Sequence, residues 1–168
     1  ATNQGSGNKI VFAGSGTTTT VTGLSTATTY YFAVYEYNGS GVTINYFQST
    51  PGTTSASTIA AEPTTSSTVT FTRMTTDTAF VNFTGGNGAN RLVVIKNGAS
   101  VSFTPVDGTS YSGANSDLSL ASDLGSGNKL VYVGNATSMK ISGYPMGSVL
   151  NIAVFEFPSS LKRAFIHH

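Results

Sequence analysis

The stretch that decides the fold occurs twice. Residues 5–40 read GSGNKIVFAGSGTTTTVTGLSTATTYYFAVYEYNGS, and residues 125–160 read GSGNKLVYVGNATSMKISGYPMGSVLNIAVFEFPSS. The two align without a gap at an offset of 120 residues, and 13 of 36 positions are identical. Gly5 to Lys9 match Gly125 to Lys129, Gly23 matches Gly143, Ala33 and Val34 match Ala153 and Val154, and Glu36 matches Glu156. Most other pairs exchange one apolar residue for another, so one structural unit is present more than once. Residues 60–124, ahead of the second copy, have no counterpart ahead of the first. Residues 41–58 have only a weak counterpart after the second. The chain is out of phase with its own repeat.

Within the first copy, Lys9 to Ala13 form an apolar run between glycines, a short strand. Thr17 to Thr22 are β-branched throughout, which favours extended backbone. Thr28 to Tyr37 give the longest strand signal, with Tyr30, Phe32 and Val34 on one face and Tyr31, Ala33 and Tyr35 on the other. Asn38-Gly39-Ser40-Gly41 predicts a turn, and Val42 to Ser49 a further strand stopped by Pro51-Gly52. Residues 52–68, rich in Thr, Ser and Ala, read as a linker with a unit boundary at Ile59 to Pro63. Strands resume at Thr68, where Val69 and Phe71 alternate with threonines. Ala79 to Phe83 and Arg91 to Lys96 follow, the second strongly apolar. The polar stretch 100–128 carries short strand signals near Val101–Phe103 and Ser110–Ser112. No segment holds a helical period, so the expected class is all-β. The expected units are residues 1–58, residues 59–160 and a tail, 161–168.

Charged residues make up only 9% of the chain and the net charge is +1. That excludes the clustered Lys and Arg that nucleic acid demands. There is no Cys, hence no disulfide framework and no thiol chemistry. No run of 18 apolar residues occurs, so no membrane insertion is expected. No signal peptide is visible at Ala1, so the chain is mature, excised or cytoplasmic, and a mature or excised piece is the favoured expectation.

Catalytic patterns are missing. The only histidines, His167 and His168, end the chain, where a Ser-His pair has no third group to orient it. No metal or other cofactor is expected, because Cys and His ligands are lacking. Glu36 and Glu156 occupy equivalent places, so one structural cause explains both. The expected role is an ion pair at a strand end, with Lys9, Lys129 or Arg91 as partner. Asp107, Asn115, Asp117 and Asp123 lack calcium-loop spacing and are assigned to turns. Tyr31, Tyr35 and Tyr37 share the outward parity of their strand and form a candidate aromatic platform for a polysaccharide. Phe155 and Phe157 stand at the places of Tyr35 and Tyr37, which favours aromatic packing instead.

Leu24-Ser25-Thr26-Ala27-Thr28-Thr29-Tyr30, followed by Val34, resembles the fibronectin type III signature around strand F. Tyr30 stands at that family's tyrosine corner, whose hydroxyl ties back to upstream backbone. The stretches FTGGNGANRLVVIKNG (83–98), PVDGTSYS (105–112), GSGNKLVYVG (125–134) and YYFAVYEYNGSG (30–41) resemble the version found in multi-repeat secreted and cell-surface proteins of Bacteroidetes. The resemblance implies an immunoglobulin-like (fibronectin type III) β-sandwich, one partial repeat followed by one nearly complete repeat. Residues 9–50 correspond to strands C′, E, F and G, and residues 68–157 to strands A, B, C, C′, E and F. The second copy departs from the pattern, with Leu150 in place of Tyr30 and Pro158 in place of a turn Asn. Asp77-Thr78-Ala79 resembles the short O-glycosylation motif of exported Bacteroidetes proteins.

The resemblance further implies a non-enzymatic structural or adhesive module at the bacterial cell surface or outside the cell. A carbohydrate-binding accessory module of a secreted polysaccharide-degrading enzyme is the alternative. Half a sandwich exposes apolar faces and strand edges. Its expected partners are neighbouring repeats or other copies of itself, through packing within one chain, strand swapping, or head-to-tail strand addition. A fragment of a longer protein gives the same pattern. Leu161 to Ile166 alternate as a last strand does, and equally suit a non-native tail.

Overall fold

The computed structural model describes residues 1–159, and the tail lies outside them. The protein is all-β. Twelve strands run in order: β1 (Thr2–Asn3), β2 (Lys9–Ile10), β3 (Thr29–Val34), β4 (Tyr37–Asn38), β5 (Asn45–Tyr46), β6 (Gly52–Ser57), β7 (Thr68–Met74), β8 (Thr78–Thr84), β9 (Asn90–Asn97), β10 (Lys129–Gly134), β11 (Ser138–Ser142) and β12 (Leu150–Phe157). Every pairing between these strands is antiparallel. No strand up to Ser57 pairs with one beyond Thr68 among the described residues.

The second segment builds two three-stranded sheets, ordered β11-β8-β7 and β10-β9-β12. Between them lies a core of Ala79, Val81, Phe83, Val93, Ile95, Val131 and Ile141, with Val69, Ile152 and Val154 against it. This is a sandwich-like arrangement. The alternation at Ala79, Val81 and Phe83 puts their side chains inward, as a half-buried strand requires. β9 differs: Arg91 to Ile95 are buried without a break. A strand reads as a continuous apolar run when both of its faces are covered. The second cover is the 98–128 segment, whose Val101, Phe103, Tyr111 and Leu124 pack on Leu92, Val94 and Leu130. Phe103 meets Tyr111 edge-on at 5.4 Å and Phe155 at 6.1 Å between ring centroids. The strands expected near Val101–Phe103 and Ser110–Ser112 are absent, because aromatic packing rather than a ladder holds that segment.

The first segment is thinner. β3 pairs with β6 in the register Tyr30↔Ala56 and Val34↔Gly52, and β4 with β5 at Tyr37↔Tyr46. The expected linker 52–68 thus begins with a strand, since Gly52–Ser57 find the β3 edge. The strand expected over Val42 to Ser49 is a 3-10 turn at Gly41–Thr43 followed by the two residues of β5. Thr17 to Thr22 form no strand. Their counterparts in β11 are held by β8, through Met139↔Val81 and Ile141↔Ala79. Among the described residues no second β8 lies beside the first copy, and β-propensity without a partner strand makes no ladder.

Candidate functional site

The two copies have the same local backbone. Ser6 and Ser126 both take positive φ, 50° and 55°, values uncommon outside glycine. The Gln4 N–H donates to the Asn8 carbonyl at 2.9 Å, and Leu124 N–H to that of Asn128 at 2.8 Å. Gly5 N–H donates to Asn3 Oδ1 at 2.9 Å, and Gly125 N–H to Asp123 Oδ1 at 2.8 Å. The duplication therefore starts at Asn3 and Asp123, ahead of the stretch legible in sequence.

Their surroundings are opposite. Leu130 is 0% exposed and its counterpart Ile10 48%, while Val131 is 2% exposed and Val11 43%. Val34 is 61% exposed where Val154 packs on the core. Among the described residues, the layer that covers the second copy, β7 to β9, has no equivalent over the first. Tyr31, Tyr35 and Tyr37 are 83%, 49% and 37% exposed. Tyr37 stacks obliquely on Tyr46 at 5.4 Å. Their counterparts Phe155 and Phe157 lie against the cluster under the 98–128 segment. The tyrosine line is therefore the place where, in the other copy, a cover sits.

The copies also leave opposite edges free. Along an antiparallel strand, alternate residues turn both backbone groups to one edge and the intervening residues to the other. Gly98 N–H donates to the Val149 carbonyl at 2.8 Å, in register with Leu150↔Asn97, so odd residues of β12 face β9. Thr58 N–H donates to the Thr28 carbonyl at 2.9 Å, and Phe47 N–H to that of Glu36 at 2.8 Å, so even residues of β3 face β6. The offset of 120 is even and parity carries over. Among the described residues, β12 has no partner where β3 holds β6, and β3 has none where β12 holds β9.

At one end of the sandwich, Glu156 meets Arg91 Nε at 3.1 Å, with side chains only 4% and 9% exposed. This pair departs from the Lys129 and Lys9 partnerships expected with it. Lys129 turns to Asp123 at 3.8 Å in a half-exposed pair, because its strand position lies at the other end of β10. Glu36 and Lys9 are exposed and form no ion pair among the described residues. The Glu156 carboxylate also accepts from Gly88 N–H at 3.0 Å and from the Ser67 hydroxyl. It ties the approach to β7, the β8–β9 turn, β9 and β12 together. A methyl group on Gly88 would lie 2.6 Å from Glu156 Oε2 and 2.9 Å from the Phe157 nitrogen. Gly88→Ala is expected to lower stability by about 1–3 kcal/mol in urea unfolding, an overpacking cost.

Tyr30 accepts a 2.8 Å hydrogen bond from Ser25 N–H at its hydroxyl, and Tyr111 does the same for Val106 N–H at 2.8 Å. Tyr30→Phe is expected to speed hydrogen exchange at Ser25 about fivefold, the equivalent of ~1 kcal/mol for one such bond. The acidic loop residues make turns. Asp117 accepts from the Ser119 hydroxyl at 2.6 Å and amide at 2.9 Å; these bonds hold its pKa below the usual carboxylate value. Asn115 and Asp123 bond amides two residues on. Among the described residues no cluster of three or more His, Asp or Glu is placed to hold a metal, and no helix is long and apolar enough to cross a membrane. No family model, curated protein or solved structure matches the chain.

Proposed function

We propose that the chain is a non-catalytic structural module of fibronectin type III character, from a bacterial extracellular or cell-surface protein. Its task is to complete a β-sandwich against another repeat or another copy. Two features support the family reading. The order of the two sheets is that of A-B-E and C′-C-F strands, and the Ser25–Tyr30 bond stands at the expected corner. The buried acid–base pair Glu156–Arg91 is engaged with structural partners on every side, which supports a role in holding the fold rather than in catalysis.

One observation carries the assembly reading. The first copy exposes the residues whose counterparts form the core of the second. Apolar faces and unpaired strand edges of this kind drive association. Light scattering across a concentration series is the test. The reading requires masses that rise above the 17.3 kDa of one chain. A constant single-chain mass up to high concentration contradicts it.

The exposure of Tyr31, Tyr35 and Tyr37 favours a second reading, a carbohydrate-binding accessory module. Affinity electrophoresis in soluble polysaccharides separates the two. Retardation abolished by Tyr31→Ala supports the second reading, and unretarded migration in every glycan removes it.

A further inference from the structure

Three Asn-Gly bonds occur in the chain: Asn38–Gly39, Asn87–Gly88 and Asn97–Gly98. Asn is a labile residue, and a following Gly, with no Cβ, lets its amide nitrogen come close to the Asn side chain. We propose that Asn38 is a site of spontaneous modification, converting to aspartate and isoaspartate, while Asn87 and Asn97 keep their amides. The Gly39 nitrogen loses its proton to water and attacks Asn38 Cγ. The new Cγ–N bond closes a five-membered succinimide. The Cγ–Nδ2 bond breaks, and Nδ2 leaves as ammonia, taking up a proton in place of the one lost. Water then adds to either ring carbonyl and breaks its bond to the Gly39 nitrogen. That nitrogen is reprotonated, and a carboxylate and a free proton remain. Nothing is oxidised or reduced, and water is the only co-reactant.

At Asn87 and Asn97 both reacting groups are held. Asn87 Oδ1 accepts from Thr64 and Thr65 N–H at 3.0 and 2.9 Å, and its Nδ2 donates to the Thr64 hydroxyl at 3.1 Å. The nitrogen that would attack, Gly88 N–H, donates to Glu156 Oε2 at 3.0 Å. Glu156 thus guards this bond as well as pairing with Arg91. Asn97 Nδ2 donates to the Ser148 hydroxyl at 3.1 Å, and Gly98 N–H to the Val149 carbonyl at 2.8 Å. Ring closure at either place must first break these bonds, and each group so released loses its partner.

Asn38 is exposed, and among the described residues its side chain makes no hydrogen bond. Phe47 N–H donates to the Glu36 carbonyl, and Asn38 lies opposite Asn45. Even residues therefore exchange bonds with β5, and Gly39 N–H turns away from that ladder. Past Gly39, Thr43 N–H and its hydroxyl donate to the Ser40 carbonyl at 3.0 and 2.7 Å, and Ser40 N–H donates to the Thr43 hydroxyl at 3.2 Å. The Gly39 amide falls between ladder and turn and belongs to neither. Glycine is required there, because φ is 87° and a Cβ would run into the Thr43 carbonyl oxygen. The turn thus demands the residue that makes the bond labile. In the second copy Pro158 stands at the place of Asn38 and carries no side-chain amide. Conversion of Asn38 removes the single net positive charge of the chain. Isoaspartate also routes the main chain through Cβ, next to the Tyr37↔Tyr46 pair.

The test follows the wild-type chain, dilute, at mildly alkaline pH, both native and in guanidinium chloride. Peptide mapping by mass spectrometry reads the amide-to-acid conversion at each of the three sites over time. In the native protein Asn38 should convert at least about tenfold faster than Asn87 or Asn97, the effect of hydrogen bonds held on the reacting groups. In denaturant the three rates should converge, since each Asn is followed by Gly. Ion exchange of aged native protein should resolve an acidic species that Asn38→Ser does not form. Equal rates at the three sites in the native protein overturn the inference. So does a lead of Asn38 that persists in denaturant, which would assign the selectivity to neighbouring residues rather than to the fold. An acidic species that forms as fast in Asn38→Ser overturns it as well.

Discussion

Glu156→Ala lowers the unfolding free energy of the second segment by about 3–5 kcal/mol, while Glu36→Ala at the equivalent position changes it by less than about 0.5 kcal/mol. The two glutamates share sequence context but not surroundings. Removing Glu156 leaves the Arg91 guanidinium buried without a counter-charge, and Gly88 N–H and the Ser67 hydroxyl lose their acceptor. An uncompensated buried charge costs far more than the pair itself is worth. Glu36 is exposed and bonded only through its main chain. Glu156→Gln falls between, because the amide oxygen still accepts from Gly88 while the charge is gone. Urea unfolding of dilute protein, followed by a probe in the second segment, measures all three. Equal effects of Glu36→Ala and Glu156→Ala would show that burial does not distinguish the two ends.

Leu130→Ala and Ile10→Ala form the second contrast. Leu130 is fully buried beneath the 98–128 segment, among Leu92, Val94 and their neighbours. Its truncation leaves a cavity and costs about 2–5 kcal/mol. Ile10 is 48% exposed, so Ile10→Ala leaves the dilute chain within about 0.5 kcal/mol of wild type. On the proposed assembly reading, its effect falls on association, because Ile10 is the exposed counterpart of the buried Leu130. The concentration at which mass begins to rise should increase several-fold in Ile10→Ala. A loss of several kcal/mol in the dilute Ile10→Ala protein would mean that the first copy is already covered.

The all-β class was legible because β-branched and aromatic alternation is a local signal, as in Ala79 to Phe83. The repeat was legible because turns at Gly5 to Lys9 and Gly125 to Lys129 need the same residues to make the same backbone. What sequence could not give was the partner of each strand. Thr17 to Thr22 have high β-propensity and form no strand, while Gly52–Ser57, weaker by composition, pair with β3. A ladder depends on a neighbour distant in sequence, and propensity does not encode it. The same reason misplaced Lys129, whose distance along β10 from Glu156 appears only once the β9 register is known. Arg91 was named among the candidates, and its burial became visible only with both covers of β9 in place. The aromatic parity of Tyr31, Tyr35 and Tyr37 was correct to read, but its meaning came from the cover that Phe155 and Phe157 reveal.

On the proposed reading, the first copy is the same unit as the second without its cover. Amide hydrogen exchange at Val11–Ala13 and Val131–Val133, in dilute and in concentrated protein, tests it most directly. Dilute protein should exchange the first group orders of magnitude faster than the second, because no partner strand holds it. In concentrated protein the first group should gain protection towards the level of the second. Equal protection of both groups in dilute, single-chain protein would contradict the claim.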